Sequence, residues 1–115
     1  MATTLYGIKN CDTVKKARRW LEQQAVDYNF HDFRADGLSK AQVATWVDQL
    51  GWEALVNKRS TTWKQLGETT RNGLNDSNVV AVVLANPTLI KRPLLDLDGH
   101  YHTGFKETDY RQLFR

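Results

Sequence analysis

The first third of the chain constrains the fold most, because it carries strand, helix and strand signals in an order that few topologies satisfy. Residues 3–8 (TTLYGI) are rich in β-branched and aromatic side chains and predict a strand. Lys9-Asn10-Cys11-Asp12-Thr13 follows with helix-start chemistry, since Asn, Asp and Thr side chains accept hydrogen bonds from the orphan amides of a first turn. Val14, Ala17, Arg18 (through its stem), Leu21 and Ala25 then recur at helical spacing, with Lys15, Lys16, Arg19 and Glu22 on the other faces. Residues 27–33 alternate apolar and polar with a period of two, which predicts a second strand. Strand, helix and strand within about 30 residues make a βαβ unit, whose two strands are expected to be parallel with a right-handed crossover.

The middle of the chain reads as helical. Ser39 is a good N-cap, and Val43, Trp46, Val47 and Leu50 form one apolar stripe stopped by Gly51. Short helices are expected at 52–56 and 61–66. Another is expected from Asp76 or Ser77 through Val79, Val80, Val83 and Leu84 to the stop at Asn86-Pro87, with a buried strand as the competing reading of so Val-rich a segment. After Pro87 the period changes again. Residues 93–97 and 100–103 flank Asp98-Gly99, a strong hairpin signal, and a last helix is expected from Lys106 or Thr108 through Tyr110, Leu113 and Phe114. The order βαβ, helical block, ββα predicts an α/β domain, 1–115, with a helical insertion at about 38–85.

Composition narrows the classes. With 115 residues one domain is the natural count. The longest apolar run, 79–85, falls far short of the roughly 18 residues a membrane helix needs. The start of the chain lacks the pattern of a signal peptide, so a cytoplasmic protein is expected. Sixteen basic against 13 acidic residues, a net charge of +3, is a weak and scattered excess, unlike the basic stripe of a nucleic-acid binder. A small anionic substrate, or a thiol cofactor with carboxylates, fits that charge as well. No nucleic-acid or membrane partner is expected.

The chain has a single cysteine, Cys11, which rules out an internal disulfide, a CxxC redox pair and a cysteine-based zinc site within one chain. Cys11 follows a strand and precedes a helix. The unpaired N–H groups and partial positive charge of a first turn stabilise a thiolate there, and a thiolate is the nucleophilic form. The competing reading is a small hydrophobe buried at a junction; the Asn-Cys-Asp-Thr context directly after a strand favours the nucleophile. Arg92-Pro93 opens the hairpin: Pro93 is a candidate cis residue shaping nearby backbone, and Arg92 is either a cationic fork for an oxyanion or thiolate or a surface arginine. Residues 57–62 (NKRSTT) form a polar, basic loop that could hold an anion or glutathione carboxylates; on pattern alone a solvated connection is favoured. His31, His100 and His102 supply no metal site, because no third ligand accompanies the pair on one strand. Trp20, Trp46, Trp52 and Trp63 read as core and seam packing rather than base-stacking platforms.

Three segments together resemble a known family. Residues 6–17 (YGIKNCDTVKKA) look like the cysteine loop and first helix of the arsenate reductase (ArsC)/Spx family, residues 55–67 (LVNKRSTTWKQLG) its central loop, and residues 86–95 (NPTLIKRPLL) its Pro-Ile-Arg-Pro region, with Gly104-Phe105 also typical. The match runs the length of the chain in order and is similar to the YffB-like subgroup. It implies a thioredoxin-like fold with a mixed sheet and an inserted helical subdomain, and Cys11 as nucleophile. In arsenate reductases the cysteine attacks arsenate, glutathione attacks the cysteine-bound arsenic, and glutaredoxin completes turnover. Arg92, just before Pro93, matches one of the family's oxyanion-holding arginines. A second falls close to Asn57, with Arg59 two residues later as a substitute, and a third falls close to Gly104 with no local replacement. The Spx regulators form the other branch; many carry a CxxC switch, which Val14 makes impossible here.

The expectation is a thiol-dependent reductase using Cys11 with glutathione as the external thiol, glutaredoxin as a further partner, a small oxidised or anionic substrate and no metal. Asn10, Asp12 and Thr13 flank the nucleophile, Arg92 serves the bound anion, and Asn57, Lys58 and Arg59 serve the anion or the glutathione carboxylates. The alternatives are a non-catalytic Spx-like regulator that binds RNA polymerase, and a weak arsenate reductase.

Overall fold

The strand β1 (Thr3–Gly7) is hydrogen-bonded along both edges. On one side β2 (Asn29–Asp32) runs parallel to it, with Leu5 opposite Phe30 and Gly7 opposite Asp32. On the other, β3 (Leu94–Leu97) runs antiparallel, with Leu5 opposite Leu95 and Tyr6 opposite Leu94. β4 (His100–Thr103) pairs antiparallel with β3, giving a four-stranded mixed sheet in the order β2-β1-β3-β4. The computed structural model describes residues 3–114. The chain forms two compact units, Met1–Asp36 with Arg92–Arg115, and Gly37–Lys91. The sheet belongs to the first. Its βαβ then ββα order is the thioredoxin-like α/β fold, interrupted by the helical second unit.

The parallel pairing of β1 and β2 follows from the helix between them, α1 (Asp12–Gln23), as the periodicity of the sequence predicts. Its buried stripe is Val14, Ala17, Trp20 and Leu21. Ala25, expected on that stripe, lies beyond the helix with φ 55°. It occupies the left-handed position of a Schellman ending, with Ala25 N–H donating to Glu22 O at 3.1 Å and Val26 N–H to Leu21 O at 3.0 Å. Trp20 takes the buried place instead. Its ring meets Tyr110 edge-on at 5.6 Å and Phe114 at 5.8 Å, because an indole buries far more apolar area than a methyl group.

One cluster joins the layers of this unit: Leu5 and Leu95 from the sheet, Ala17, Trp20 and Leu21 from α1, and Tyr110 from the last helix, α7 (Glu107–Leu113). The β3–β4 turn has Asp98 at φ 51° and Gly99 at φ 89°, the paired left-handed geometry that matches strand twist, and Asp96 Oδ1 accepts from Gly99 N–H at 2.9 Å.

The second unit is helical. α2 (Lys40–Leu50) begins with a full capping box, Ser39 Oγ accepting from Gln42 N–H and Gln42 Oε1 from Ser39 N–H. After Gly51 come α3 (Trp52–Leu55), α4 (Thr61–Gln65) and α5 (Glu68–Asn72). The sequence gives no sign of α5, since none of its residues is buried and so no apolar period exists to read. α6 (Val79–Ala85) is a helix and not a strand: Val79 and Val83, one turn apart, are buried, Ala81 is exposed, and the helix packs on α2. It starts later than Asp76 because Asn75 Oδ1 first holds the amides of Ser77 and Asn78, both at 2.9 Å. Asn57 N–H to Leu89 O at 2.7 Å and Lys91 N–H to Leu55 O at 2.8 Å tie the unit's middle to its end. Among the described residues no helix is long and apolar enough to cross a membrane.

A Cβ placed on Gly7 would meet Val14 Cγ2 at 2.7 Å, so α1 reaches the end of β1 only because Gly7 has no side chain. Gly7→Ala is expected to destabilise the protein by roughly 1–3 kcal/mol in urea denaturation. Adding Val14→Ala should cost less than the sum of the two single changes. Strict additivity would contradict this contact.

Candidate active site

The chain leaves β1 at Gly7 and reaches α1 through Ile8, Lys9, Asn10 and Cys11. Ile8 is buried and anchors the crossing, and its carbonyl accepts from Cys11 N–H at 3.2 Å. Cys11 is the N-cap of α1, extended at φ −98° and ψ 124°, and its carbonyl accepts the first helical bond from Lys15 N–H at 2.9 Å. Its side chain makes no capping hydrogen bond and is half-buried. The sulfur therefore sits where Ser, Thr or Asp would ordinarily satisfy an amide, yet it is not spent on that task. Asn10, Asp12 and Thr13 are exposed, and among the described residues none of their side chains accepts from a first-turn amide, contrary to the helix-start reading of this segment. Asp12 instead contributes its charge to the first turn.

The Arg92–Pro93 peptide bond is cis, with Pro93 buried and Arg92 half-buried. β3 begins at the next residue, where Leu94 faces Tyr6. One further step along that ladder sets Pro93 across from Gly7, at the end of the sheet where the chain departs for Cys11. Gly104 reaches the same end, its N–H donating to Pro93 O at 2.9 Å. It holds φ 81°, a conformation unfavourable to an arginine, which gives a physical reason for a glycine there. Among the described residues the ion pairs are His102–Asp109 and Arg111–Glu107, so Arg92, Lys58 and Arg59 have no carboxylate partner.

Asp32 closes the same end from β2, opposite Gly7. On pattern alone it is only a polar position in an alternating strand. The available signal was an acidic side chain ending that strand, where Asp commonly captures the amides two and three residues on. Its Oδ1 accepts from Arg34 N–H at 2.8 Å and Ala35 N–H at 3.2 Å, and its Oδ2 from Lys9 N–H at 3.3 Å. These bonds turn the chain after Asp32 and end the strand there, one residue short of its predicted limit. Only 6% of the residue's surface is exposed. Burial works to raise its pKa, but the amides of Arg34, Ala35 and Lys9 and the Lys9 ammonium outweigh that and hold it below the usual value.

Asn57, Lys58 and Arg59 lie in the second unit. Asn57 Oδ1 accepts from Arg59 N–H at 3.0 Å, and Asn57 O accepts from the Ser60 hydroxyl at 2.8 Å, so the Asn57 amide oxygen shapes its own turn. Ser60 then caps α4 by accepting from Trp63 N–H at 3.0 Å. Lys58 Nζ stands 5.0 Å from the Trp52 ring and 5.9 Å from the Trp63 ring, and the two indoles stack at 6.5 Å and 20°. The loop is thus an ordered turn whose two cations, Lys58 and Arg59, are exposed. Of the four tryptophans, Trp20 and Trp46 are core, while Trp52 and Trp63 are half-exposed and hold Lys58. Arg59 is exposed. His102 Nε2 is 3.7 Å from Asp109 Oδ2, and among the described residues no three His, Cys, Asp or Glu side chains converge as a metal site would require.

A thioredoxin-like sheet that brings a cis-proline and a single cysteine at a helix N-cap position to one end defines a class of single-cysteine thioredoxin-like domains. Within that class the chain belongs to the ArsC family, whose model matches residues 6–113. An uncharacterised protein of Haemophilus influenzae is 48% identical over 96% of this chain and 97% of its own length. The global transcriptional regulator Spx 2 of Lactococcus lactis is 26% identical, covering 94% of this chain and 83% of the regulator. Among solved structures, the YffB protein is 40% identical with a TM-score of 0.92, over 96% of this chain and 97% of that one. An arsenate reductase-related protein of Brucella melitensis is 41% identical with a TM-score of 0.81, over 100% and 96%.

Because Asp32 titrates below its unfolded value, its contribution to stability is complete above the ordinary aspartate pKa of 3.8 and is lost as pH falls through the folded value. The stability difference between the native protein and Asp32→Asn, measured by urea denaturation, should therefore shrink as pH is lowered from 6 to about 3. A difference independent of pH would contradict the assignment.

Proposed function

We propose that this ArsC-family protein is a thiol-dependent reductase in which Cys11 is the nucleophile and glutathione the external thiol. The observation that carries the reading is a cysteine placed as the N-cap of a helix of 12 residues, half-exposed, with its side chain left out of the cap. The sulfur is thereby left accessible beside the unpaired amides of the first turn, which can hold an anion. With a disulfide substrate, the Cys11 thiolate attacks one sulfur, the S–S bond breaks, and the other sulfur leaves as a thiolate that takes up a proton. Cys11 is then held in a mixed disulfide. A lone cysteine cannot resolve this bond internally, so a glutathione thiolate attacks the sulfur attached to Cys11, forms a new disulfide and releases the Cys11 thiolate. The reducing electrons come from glutathione, and glutaredoxin is the natural partner for reducing the product.

In this reading Arg92 and the backbone amides after Cys11 hold a bound anion; Arg59 and Lys58, in the second unit, are cations suited to carboxylates such as those of glutathione. Asn10, Asp12 and Thr13 border the nucleophile. The substrate is small and oxidised or anionic, and the setting is the cytoplasm. Arsenate is the weaker substrate candidate, because Asn57 and Gly104 stand where the resemblance places arginines. Each missing charge-assisted fork removes a strong contact to a dianion. A second reading is favoured by the likeness to the Lactococcus regulator: a non-catalytic protein that contacts RNA polymerase.

Purified protein mixed with oxidised glutathione should form a Cys11 mixed disulfide visible by intact mass, and reduced glutathione should remove it. A glutathione-coupled assay with small disulfides and with arsenate should show turnover that Cys11→Ser abolishes. Arg92→Ala should lower turnover by about tenfold, the scale of one hydrogen bond to a charged group. An unreactive Cys11, with capture of the polymerase α subunit, would replace the enzyme reading with the regulator.

A further inference from the structure

We infer that Asp32 is a positioning residue for Cys11, acting through the Lys9 backbone amide. The inference rests on the reading of Cys11 as nucleophile. The connection from β1 to α1 has few anchors: Ile8 is buried, Lys9 and Asn10 are exposed, and Cys11 N–H bonds back to Ile8 O at 3.2 Å. A side chain from far along the sequence grips this connection: the Asp32 carboxylate, whose Oδ2 accepts from Lys9 N–H at 3.3 Å across 23 residues.

The grip is itself held fixed. Asp32 Oδ1 is engaged by the amides of Arg34 and Ala35, and Asp36 Oδ2 accepts from Asp32 N–H at 3.0 Å. The main chain just beyond adds Phe33 N–H to Gly7 O at 2.9 Å, which continues the β1–β2 ladder past its last paired residues. Asp32 therefore couples three segments: the end of β2, the turn after it and the loop that delivers Cys11. Both carboxylate oxygens are engaged by amide donors, an arrangement that an uncharged amide side chain cannot reproduce. In Asn, one of the two positions becomes an NH2 group facing an N–H. The carboxylate does not need to touch substrate; it sets where the nucleophile stands. A reacting group displaced by a fraction of an ångström loses rate without any loss of the fold.

Two variants separate this role from general support. Asp32→Asn alters both sides of the grip. Asp32→Ser keeps an acceptor for the following turn but is too short to reach Lys9, so it tests the Lys9 contact even where the Asn variant folds poorly. Asp27→Asn removes an exposed carboxylate that takes no part in the grip and serves as the control. Amide hydrogen exchange at Lys9 and Cys11 is expected to accelerate about tenfold in both Asp32 variants, with Leu5 in the sheet unchanged. The rate of mixed-disulfide formation at Cys11 is expected to fall by about tenfold in both, and to stay near native in Asp27→Asn. Native exchange at Lys9 in Asp32→Ser, or a native Cys11 rate despite faster exchange, would overturn the inference. An unreactive Cys11 in the native protein would instead overturn the proposed function; exchange at Lys9 would then still report whether the grip exists.

Discussion

Backbone pairing along both edges of β1 is the constraint on which the chemistry of the first unit depends. A strand paired on two sides cannot shift its register without breaking two ladders and turning every side chain to the wrong face. Leu5 is locked between Phe30 and Leu95, and the register then dictates what gathers at the end of the sheet: Gly7 and the departing loop, Asp32 opposite, and Pro93 one step beyond Leu94. Val14 against Gly7 sets how closely α1 approaches that end, and Cys11 is the residue where strand geometry gives way to helix. The cysteine's position is thus a consequence of packing and pairing that do not involve its sulfur.

The electrostatics are local. At Asp32 two opposing effects meet, burial against amide hydrogen bonds, and the bonds prevail, so the carboxylate stays ionised and gripping. At Lys58 an exposed ammonium lies over two half-exposed indoles, a contact on the order of 0.5–1 kcal/mol. That is too small to organise the second unit, yet enough to bias where one cation stands. Arg92 and Arg59 have no carboxylate partner among the described residues, which leaves their forks available to an anion.

Much of the fold is legible in the residues, because most elements are declared by a period or a turn signal. The βαβ unit, the Asp98-Gly99 hairpin, the Ser39 cap and the Gly51 stop all appear where the pattern puts them. What escapes reading has no periodic signature. α5 buries nothing, and Ala25 fits a helical spacing yet ends the helix, because the weight of Trp20 in the core is not visible from spacing alone. The Val-rich α6 is ambiguous until its packing on α2 is known. At the site, Cys11 and the Arg92-Pro93 bond are legible as unusual residues in unusual places. The Asp32 contact to the loop before Cys11 is not, since the Lys9 amide lies 23 residues away and only the β1–β2 register brings it near. The Lys58–Trp52–Trp63 group is hidden for the same reason: its members are ordinary until the turn built by Asn57 and Ser60 folds them together.

The central claim is that Cys11 works with an external thiol, and a crystal of the protein soaked with oxidised glutathione tests it most directly. The account predicts continuous density from Cys11 Sγ to the glutathione sulfur. An unmodified Cys11, with the tripeptide absent or bound elsewhere, would contradict it.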